Sequence, residues 1–383
     1  MLKLRTILLS STPYYVILLL SLLVAFFRIN LPLASCYDGT EKLIEGRLIK
    51  TKIDGNQLTM TIQAKEKINA YYYFSNKEEK ETFSQYYHLG DTLQLEGNLR
   101  SIAKSTTPNI FSYQENQNRK GQFFQMQVES FQKVKDNQNI LYGIKNWILQ
   151  RTKQVPKTGM YLRAFLLGEK DDLNQTVMKS YQNNGISHLF AISGMHVSLL
   201  SGMLLSILKK VHIKEKPRYL FTMIILIFYL WLTNFSSSVL RAVLFFLLFS
   251  LNKIYYFHIK PLHLFYITFA LTITYQPFFL YQVGFQFSFL ISFFLILFAD
   301  WINESHKKMM RALKVSCLSF CSSIPIALYH FSQINFLSVF YNLYFVPLVT
   351  IFVFPLSLIV FCFPFLDSIY YYLILHLQQS SLG

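Results

Sequence analysis

Polar and ionisable residues interrupt several apolar stretches of this 383-residue chain, and their types could hold an anion. One run reads GISHLFAISGMHVSLL from Gly185, and three interruptions follow it: SSSVLRA from Ser236, QVGFQFSF from Gln282, and a polar segment at 333–342. An ionisable or amide side chain within an apolar span normally faces a protein interior, a water-filled cavity or a partner. The candidate path-lining residues are His188, Ser193, Gly194, His196, Ser236, Arg241, Gln286 and Asn342.

Arg241 is the sharpest of these candidates because it lies in the apolar run VLRAVLFFLLF, just after the polar residues at 236–238. A guanidinium near the N-terminal end of a half-helix favours a phosphate group, since backbone N–H groups and the helix dipole also attract anions there. The alternative is that the Arg241 side chain snorkels to the membrane surface.

Ser193 and His196 are three residues apart, so a helix would place them on one face. Hydrogen bonds between helices, with nearby glycines allowing close approach, explain this pair without any chemistry. A serine with a neighbouring base could also be the nucleophile of an intramembrane serine hydrolase, although a histidine in the same helix is rarely well aimed. For Gln286 and Asn342, packing of amides within a bundle is the competing interpretation.

The elements that carry these residues are expected to be membrane-spanning helices. Hydrophobic residues make up 52% of the chain and charged residues only 15%, against roughly 25% charged residues in soluble domains. Apolar stretches recur at 14–27, 219–232, 262–275, 285–299 and 339–363. A bilayer core needs about 20 mostly apolar residues per helix, or fewer where a helix is short or broken, so we predict about 7–10 transmembrane or re-entrant helices.

The net charge of +16 is concentrated beside these apolar stretches. Basic and acidic residues nearly balance at 37–150, whereas the remainder of the chain is strongly basic. Basic clusters recur at 209–218, 253–260 and 307–314, and all of them fall on one side when successive spans alternate in direction. The positive-inside bias therefore predicts a cytoplasmic N-terminus, with direct binding of a polyanion by these residues as the alternative.

Between residues 38 and 138 the pattern changes to alternation with period two, as in Leu58, Met60 and Ile62, which are separated by polar residues. About five short strands with Gly or Asn at the turns predict a small β-barrel of the OB type on the extracellular side. Consecutive aromatic residues in this segment could stack on exposed bases, or could be a mixture of core and surface residues. They are Tyr71, Tyr72, Tyr73 and Phe74.

The chain is therefore predicted to be a mostly α-helical polytopic membrane protein with an inserted extracellular β-barrel. The predicted divisions are an N-terminal transmembrane anchor at 1–36, the barrel at 37–138, amphipathic interfacial helices at 139–168, the main transmembrane domain at 169–365, and an apolar segment with a short polar tail at 366–383. The four polar interruptions all fall in the outer half of this arrangement. They would therefore form an outer mouth.

Four of these segments also occur, in the same order, in a known family. GISHLFAISGMHVSLL is similar to the family signature G-x-x-H-L-L-A-I-S-G-L-H-V, and SSSVLRA, QVGFQFSF and the pair SIP at 323–325 and NLYFVP at 342–347 follow it. The upstream segment LGEK at 167–170 resembles another family segment. On these residues, roughly from 159 to 347, the chain resembles the ComEC family of bacterial competence proteins.

The resemblance implies a membrane channel that passes one strand of DNA into the cytoplasm during natural transformation. The signature positions that it implies are His188, Ser193, Gly194, His196, Arg241, Gln286 and Asn342. It also implies partners, namely single-stranded DNA, membrane lipids, a DNA receptor, a competence pilus and a cytoplasmic ATPase. An arginine, two histidines and amides at an outer mouth suit a sugar-phosphate backbone, so transport would be indifferent to base sequence.

Many members of that family carry a C-terminal metallo-β-lactamase-like domain with a His-x-His-x-Asp-His motif. None of the nine histidines here falls in such a motif. We therefore expect no metal, no other cofactor and no enzymatic activity, and we interpret the chain as a short or truncated form. A small-molecule or lipid transporter is a further alternative, against which the sequence shows no internal repeat of broken helices.

Overall fold

The structure is a computed structural model that describes residues 11–103, 113–170, 172–189 and 192–382. The chain divides into two compact units. Residues 31–151 form the barrel unit, and residues up to 30 together with those from 152 onwards form the helical unit. The first described helix, α1 (Thr12–Asn30), therefore belongs to the helical unit.

Five strands and three helices follow α1. They are β1 (Leu43–Asp54), β2 (Gln57–Gln63), β3 (Lys67–Tyr73), α2 (Lys77–Tyr86), β4 (Thr92–Ser101), α3 (Tyr113–Asn118), β5 (Phe124–Lys135) and α4 (Ile140–Lys153). The strands close into a barrel in the order β1, β2, β3, β5, β4 and back to β1. Its strand pairs are antiparallel except for β3 with β5, which are parallel.

Alternation of side chains fixes which face of each strand fills the barrel. Leu58, Met60 and Ile62 of β2 are fully buried, whereas the residues between them are partly exposed. A shift of register by one residue would turn this apolar set outwards, so burial of one face specifies the pairing. The period-two pattern predicted from the sequence is therefore the one that the barrel uses.

Helix α2 covers one part of the barrel through a capped start and a buried aromatic residue. The Asn76 side chain accepts the backbone N–H of Glu79 at 2.8 Å, which satisfies one of the free donors at the start of the helix. Phe83 is buried and lies 5.8 Å from the ring of Phe74 and 5.7 Å from that of Phe131, measured between ring centroids. The aromatic cluster thus holds α2 against the strands.

Hydrogen bonds from the middle of α4 and from the segment before it also join them to the strands of the barrel unit. The Asn146 side chain donates to the carbonyl of Leu89 at 2.8 Å and accepts its N–H at 3.1 Å. Nearby, the buried carboxylate of Asp91 accepts the N–H of Asn137 at 2.8 Å and lies 3.5 Å from the ammonium of Lys133. The polar groups of this region are therefore satisfied within the barrel unit.

The helical unit continues after α4 with twelve helices and four shorter helical turns among the described residues. The helices are α5 (Gly159–Leu167), α6 (Gln175–Asn183), α7 (Gly194–Lys210), α8 (Glu215–Leu232), α9 (Ser237–Ile254), α10 (Pro261–Tyr275), α11 (Val283–Leu297), α12 (Ala299–Asn303), α13 (Lys308–Phe331), α14 (Ser338–Leu348), α15 (Phe354–Cys362) and α16 (Asp367–Leu382). Short 3₁₀ helices occur at Ser187–Leu189, Pro277–Tyr281 and Pro364–Leu366, and a π-helical turn occurs at Val349–Val353.

Four helical stretches in the described part of the chain are long and apolar enough to cross a membrane. They are α1, α9, α13 and the continuous stretch Ser338–Cys362, which contains α14 and α15. Helices α10 and α11 are also apolar but have only 15 residues each. The mostly helical, apolar character agrees with the sequence, while the larger predicted number of about 7–10 spans includes shorter helices of this kind.

Helices α1 and α10 run in the same direction. The rings of Tyr14 and His263 stack near the beginning of both helices, with centroids 4.3 Å apart. Near their ends, the guanidinium of Arg28 donates to the carbonyl of Thr274. The opposite face of α1 exposes large apolar side chains, among them Phe27 with 67% of its surface accessible. Both helices therefore begin at the same end of the helical unit.

Two apolar cores hold the helical unit together, and α7 takes part in both. One core joins α8, α9, α10 and α11 through residues such as Val239 and Phe289. The other joins α5 to α14, α15 and α16 through residues such as Phe165 and Phe354. Helix α7 contributes Val197 to the first core and packs other side chains against the second. The start of α7 is thereby held between two rigid groups of helices.

Candidate functional site

Helix α7 begins with a cap made by two residues of the signature segment. Ser193 has an extended backbone, with φ −130° and ψ 171°, and its N–H donates to Nδ1 of His196 at 3.2 Å. The Ser193 hydroxyl lies at the same distance from that nitrogen. His196 is fully buried, so its side chain does not lie on an open surface of the structure. It forms the third position of a capping box instead.

The guanidinium of Arg241 lies directly against the first residue of α7. A Cβ atom at Gly194 would overlap Nη2 of Arg241, and it would lie 3.4 Å from the Cβ of Ala242. Gly194 therefore leaves the space that the end of the Arg241 side chain occupies beside α7. The first backbone N–H groups of a helix carry partial positive charge, so Arg241 adds a full positive charge beside an already positive end.

Residues of α9 and α11 orient this guanidinium. Nε of Arg241 donates to the hydroxyl of Ser288 at 2.7 Å, and that oxygen lies 3.3 Å from the hydroxyl of Ser238. The ring of Phe289 is 5.8 Å from Cζ, within cation–π range. Within the described residues, Arg241 forms no ion pair and its two Nη groups make no hydrogen bond. Those donors are available to an anion.

Gln286 belongs to a separate polar contact. Its side chain donates to the carbonyl of Leu280 at 2.8 Å and its oxygen lies 2.7 Å from Nε2 of His330, at the end of α13. Gln286 and Ser288 are two residues apart in α11, so they point to roughly opposite sides of that helix. The structure therefore does not bring Gln286 to Arg241. The sequence also gave no signal for His330, because no motif surrounds it.

The remaining candidate residues lie in the turn at Ser187–Leu189, at the start of α9 and in α14. His188 lies exposed in the short turn Ser187–Leu189. At Gly185, with φ +69°, a Cβ atom would come within 2.8 Å of the Cβ of Ser338, and Asn342 follows Ser338 by one turn of α14. The hydroxyl of Ser236 and the carbonyl oxygen of the Asn342 side chain are both buried without a partner among the described residues.

The aromatic run of the barrel unit is divided between two faces of β3 and its end. Phe74 is buried in the core, and the hydroxyl of Tyr72 donates to the carboxylate of Glu79. That hydrogen bond, with partial burial, raises the pKa of Tyr72 to about 12. Tyr73 exposes 60% of its surface and Tyr71 is partly exposed on the same face. Alternation along β3 turns Tyr72 and Phe74 inwards and leaves Tyr71 and Tyr73 on the outer face of the sheet.

The arrangement can bind an anion but is poorly built for bond cleavage. Nucleophilic catalysis needs a base that is free to take the serine proton and a third group that orients it. Here Nδ1 of His196 already accepts the N–H of Ser193, and Nε2 is buried without a partner among the described residues. The described part of the chain also contains no group of three metal-ligating side chains.

Comparison with known proteins gives the following similarities. A family model described as "Competence protein" matches residues 165–382, which include all eight candidate residues of the helical unit. ComE operon protein 3 of Bacillus subtilis is 29% identical over 311 residues, 79% of this chain and 40% of that protein. The uncharacterized protein MG316 of Mycoplasma genitalium is 34% identical over 223 residues, 57% of this chain and 55% of that protein. Recombination protein 2 of Haemophilus influenzae is 25% identical over 162 residues, 40% of this chain and 20% of that protein. The chain thus spans only part of the length of each of these curated relatives.

Proposed function

Because the chain belongs to the Competence protein family of DNA uptake, we propose that its helical unit passes single-stranded DNA across a bacterial plasma membrane during natural transformation. Arg241 holds a phosphate of the strand as it enters. The start of α7, with Ser193 and Gly194, provides the other side of that phosphate site.

One observation carries this proposal, namely that Arg241 lies beside a helix N-terminus and has no ionic partner among the residues that the structure describes. A cation at that end of a helix is unfavourable by itself, and an ionised side chain inside an apolar bundle normally has a partner. A phosphate bound by both Arg241 and the N–H groups of α7 would balance the positive charge at this helix end and would give the guanidinium an ionic partner. A guanidinium donates in a fork that matches phosphate oxygens. Ser288 supports this geometry because its hydroxyl accepts the hydrogen bond from Nε of Arg241, which leaves the two Nη groups for the ligand.

The chemistry of the site favours contact with the backbone of DNA over contact with its bases. Arginine and backbone N–H groups recognise phosphates, which are identical in every nucleotide. His188 is exposed close in sequence to this site and would provide a second contact to the strand. Gln286, Ser236 and Asn342 then act as polar supports around the entry. Transport is accordingly indifferent to base sequence.

We further propose that the site opens to the outer face of the membrane. Helices α1 and α10 begin at the same end of the unit, which agrees with a topology in which both run outwards from a cytoplasmic N-terminus. The basic clusters at 209–218, 253–260 and 307–314 then lie in the cytoplasm, as the positive-inside bias requires. In that topology α9 begins at the outer face, so Arg241 meets DNA that arrives from outside.

The barrel unit is proposed to be an extracellular domain of the OB type that contacts the strand. Its five-stranded closure, with one parallel pair, supports that assignment. Tyr71 lies beside Thr59, which in turn lies beside Lys52, so an aromatic ring and a lysine share one face of the sheet. Such a combination suits stacking on bases together with attraction to phosphates. A DNA receptor, a competence pilus and a cytoplasmic ATPase are the proposed partners.

The test is uptake of labelled DNA by a naturally competent strain that carries Arg241 variants in place of its own related protein. We expect Arg241→Ala to reduce uptake by about 10–100-fold, because hydrogen bonds to a charged group are lost. Arg241→Lys should be intermediate, since it keeps the charge without the fork. Arg163→Lys is the matched control, because Arg163 is paired with Asp172 at 2.6 Å in the same unit. Normal uptake with Arg241→Ala would sink the proposal.

The alternatives of an intramembrane serine hydrolase and of a small-molecule or lipid transporter are not favoured. The hydrolase would need Ser193 to act as a nucleophile, yet Ser193 and His196 cap α7. Cleavage of a membrane substrate that is lost in Ser193→Ala and kept in Arg241→Ala would reverse this preference.

A further inference from the structure

His196 has the chemistry of a catalytic or ligand-binding residue but the environment of a core residue. Its side chain is fully buried. The imidazole packs between two phenyl rings, with centroid distances of 5.6 Å to Phe165 and 5.0 Å to Phe354. A strand of DNA at Arg241 could therefore not reach this ring without displacement of the apolar core.

The hydrogen bond of His196 points instead to the backbone at the start of α7. In a capping box the first residue is usually Ser or Thr and the residue three positions later is Glu or Gln, whose side chain accepts the N–H of the first. Here Ser193 is the first residue of the capping box and His196 is the residue three positions later. Nδ1 of His196 accepts the N–H of Ser193 at 3.2 Å. The imidazole thus does what a glutamine oxygen does in the usual motif.

On the basis of the function proposed above, we propose that His196 is a positioning residue: it caps α7 and so holds Ser193 and Gly194 against the guanidinium of Arg241, without touching DNA. The link is short, because Gly194 directly follows the capped residue and contacts Arg241. Any displacement at the start of α7 would open the space between its N–H groups and the guanidinium.

The hydrogen-bond pattern also defines which form of the imidazole is needed. Nδ1 must be free of a proton in order to accept the N–H of Ser193, so the ring carries its hydrogen on Nε2. Nε2 is buried and has no partner among the described residues, so it does not exchange a proton with a ligand. The role needs one acceptor atom at one place. A glutamine can provide that atom, and an alanine cannot.

The first test compares His196→Gln with His196→Ala in uptake of labelled DNA by a competent strain, with the amount of each variant in the membrane fraction measured in parallel. We expect His196→Gln to keep uptake within about twofold of the unchanged protein, since Gln is a regular member of the capping box. His196→Ala should lose about tenfold, the effect of an absent cap on the position of α7.

The reciprocal residue offers a second test, which also decides the matter if His196→Ala does not accumulate. Ser193→Ala removes the N-cap hydroxyl at the start of α7 and should lose uptake, and Ser193→Asn, which supplies another good N-cap side chain, should lose less than Ser193→Ala. Ser198→Ala is the matched control, because the Ser198 hydroxyl is exposed and donates to the carbonyl of Gly194 one turn along the same helix. It should leave uptake unchanged.

The outcomes separate this inference from the function on which it rests. If His196→Gln loses as much uptake as His196→Ala at equal membrane abundance, the imidazole itself is required and the capping role is wrong. If neither substitution affects uptake, the position of α7 does not depend on His196 and the inference is again overturned. If Arg241→Ala has no effect, the phosphate site fails, whatever the His196 variants show.

Discussion

Asp91 of the barrel unit and Arg241 of the helical unit are charged groups with opposite surroundings. In the barrel unit, Asp91 is buried but accepts backbone N–H groups and lies beside Lys133. In the helical unit, Arg241 is partly buried and, among the described residues, has one hydroxyl partner and no carboxylate. A closed network stabilises a fold, whereas an open one leaves donors for a ligand. The donors that Arg241 leaves open are therefore the ones that the proposed phosphate site uses.

The largest expected effect tests whether the barrel unit depends mainly on its own core. Leu58→Ala removes a fully buried side chain from that core and should lower the free energy of unfolding by about 2–5 kcal/mol. Leu43→Ala is the control, since Leu43 exposes 56% of its surface. Chemical unfolding of each variant, followed by a spectroscopic signal of the β-strands, measures both free energies of unfolding. Equal losses for the two substitutions would show that the stability of the barrel unit does not depend mainly on its buried core.

The second prediction concerns the closed polar network of the barrel unit. Asp91→Asn replaces an acceptor-only carboxylate by an amide and leaves Lys133 without this partner, so we expect a loss of about 3 kcal/mol in the free energy of unfolding. Asp54→Asn, which breaks an exposed pair with Lys52, should cost less than about 1 kcal/mol. Similar values for the two variants would show that the network around Asp91 is not closed against solvent.

The third prediction tests the contact between α7 and α9. Gly194→Ala introduces a methyl group where Nη2 of Arg241 lies, so the guanidinium must move. We expect about tenfold weaker binding of a labelled single-stranded oligonucleotide by the membrane-reconstituted chain, with little change in stability, because the end of an arginine can shift. Gly202→Ala, with open space around the position, should not weaken binding. Unchanged binding by Gly194→Ala would show that binding does not depend on the contact between Arg241 and the start of α7.

The smallest expected effect is a pH dependence in the barrel unit. The hydrogen bond to Glu79 and partial burial raise the pKa of Tyr72 from its ordinary value of 10.0 to about 12 in the folded chain. The folded state therefore holds this proton more tightly, and its stabilising contribution is present below pH 10 and is lost as the pH rises towards 12. In the Tyr72→Phe variant, the free energy of unfolding should therefore fall less steeply between about pH 10 and pH 12 than in the unchanged chain. In the Tyr73→Phe variant it should fall as in the unchanged chain. The same slope in both variants would contradict this assignment.

Much of the barrel could be predicted because its pattern is local. Alternation at 57–63 predicted both the strand and the buried face, and β2 keeps that pattern. The parallel pairing of β3 with β5 could not be predicted, because it joins residues such as Ala70 and Met126 that are far apart in sequence. The same alternation turned Phe74 inwards, which a run of four aromatic residues alone did not reveal.

In the helical unit the sequence located the unusual residues but not their contacts. Arg241 and Gly194 stood out by type, yet their proximity depends on how α7 packs against α9. Ser288 and His330 were missed as partners for the same reason, since ordinary side chains gain a role only through a distant neighbour. The sequence identified His196 as unusual but not its complete burial, because burial and the direction of a side chain cannot be read from spacing.

The most direct measurement of the central claim is the salt dependence of binding of single-stranded oligothymidine to the membrane-reconstituted chain and to its Arg241→Ala variant. If Arg241 holds a phosphate, the variant should bind about tenfold more weakly, and the slope of log affinity against log salt should become shallower by about 0.7. Arg163→Gln, which removes a charge already paired with Asp172, should leave the slope unchanged. The same slope and affinity for the Arg241→Ala variant and the unchanged chain would contradict the phosphate site.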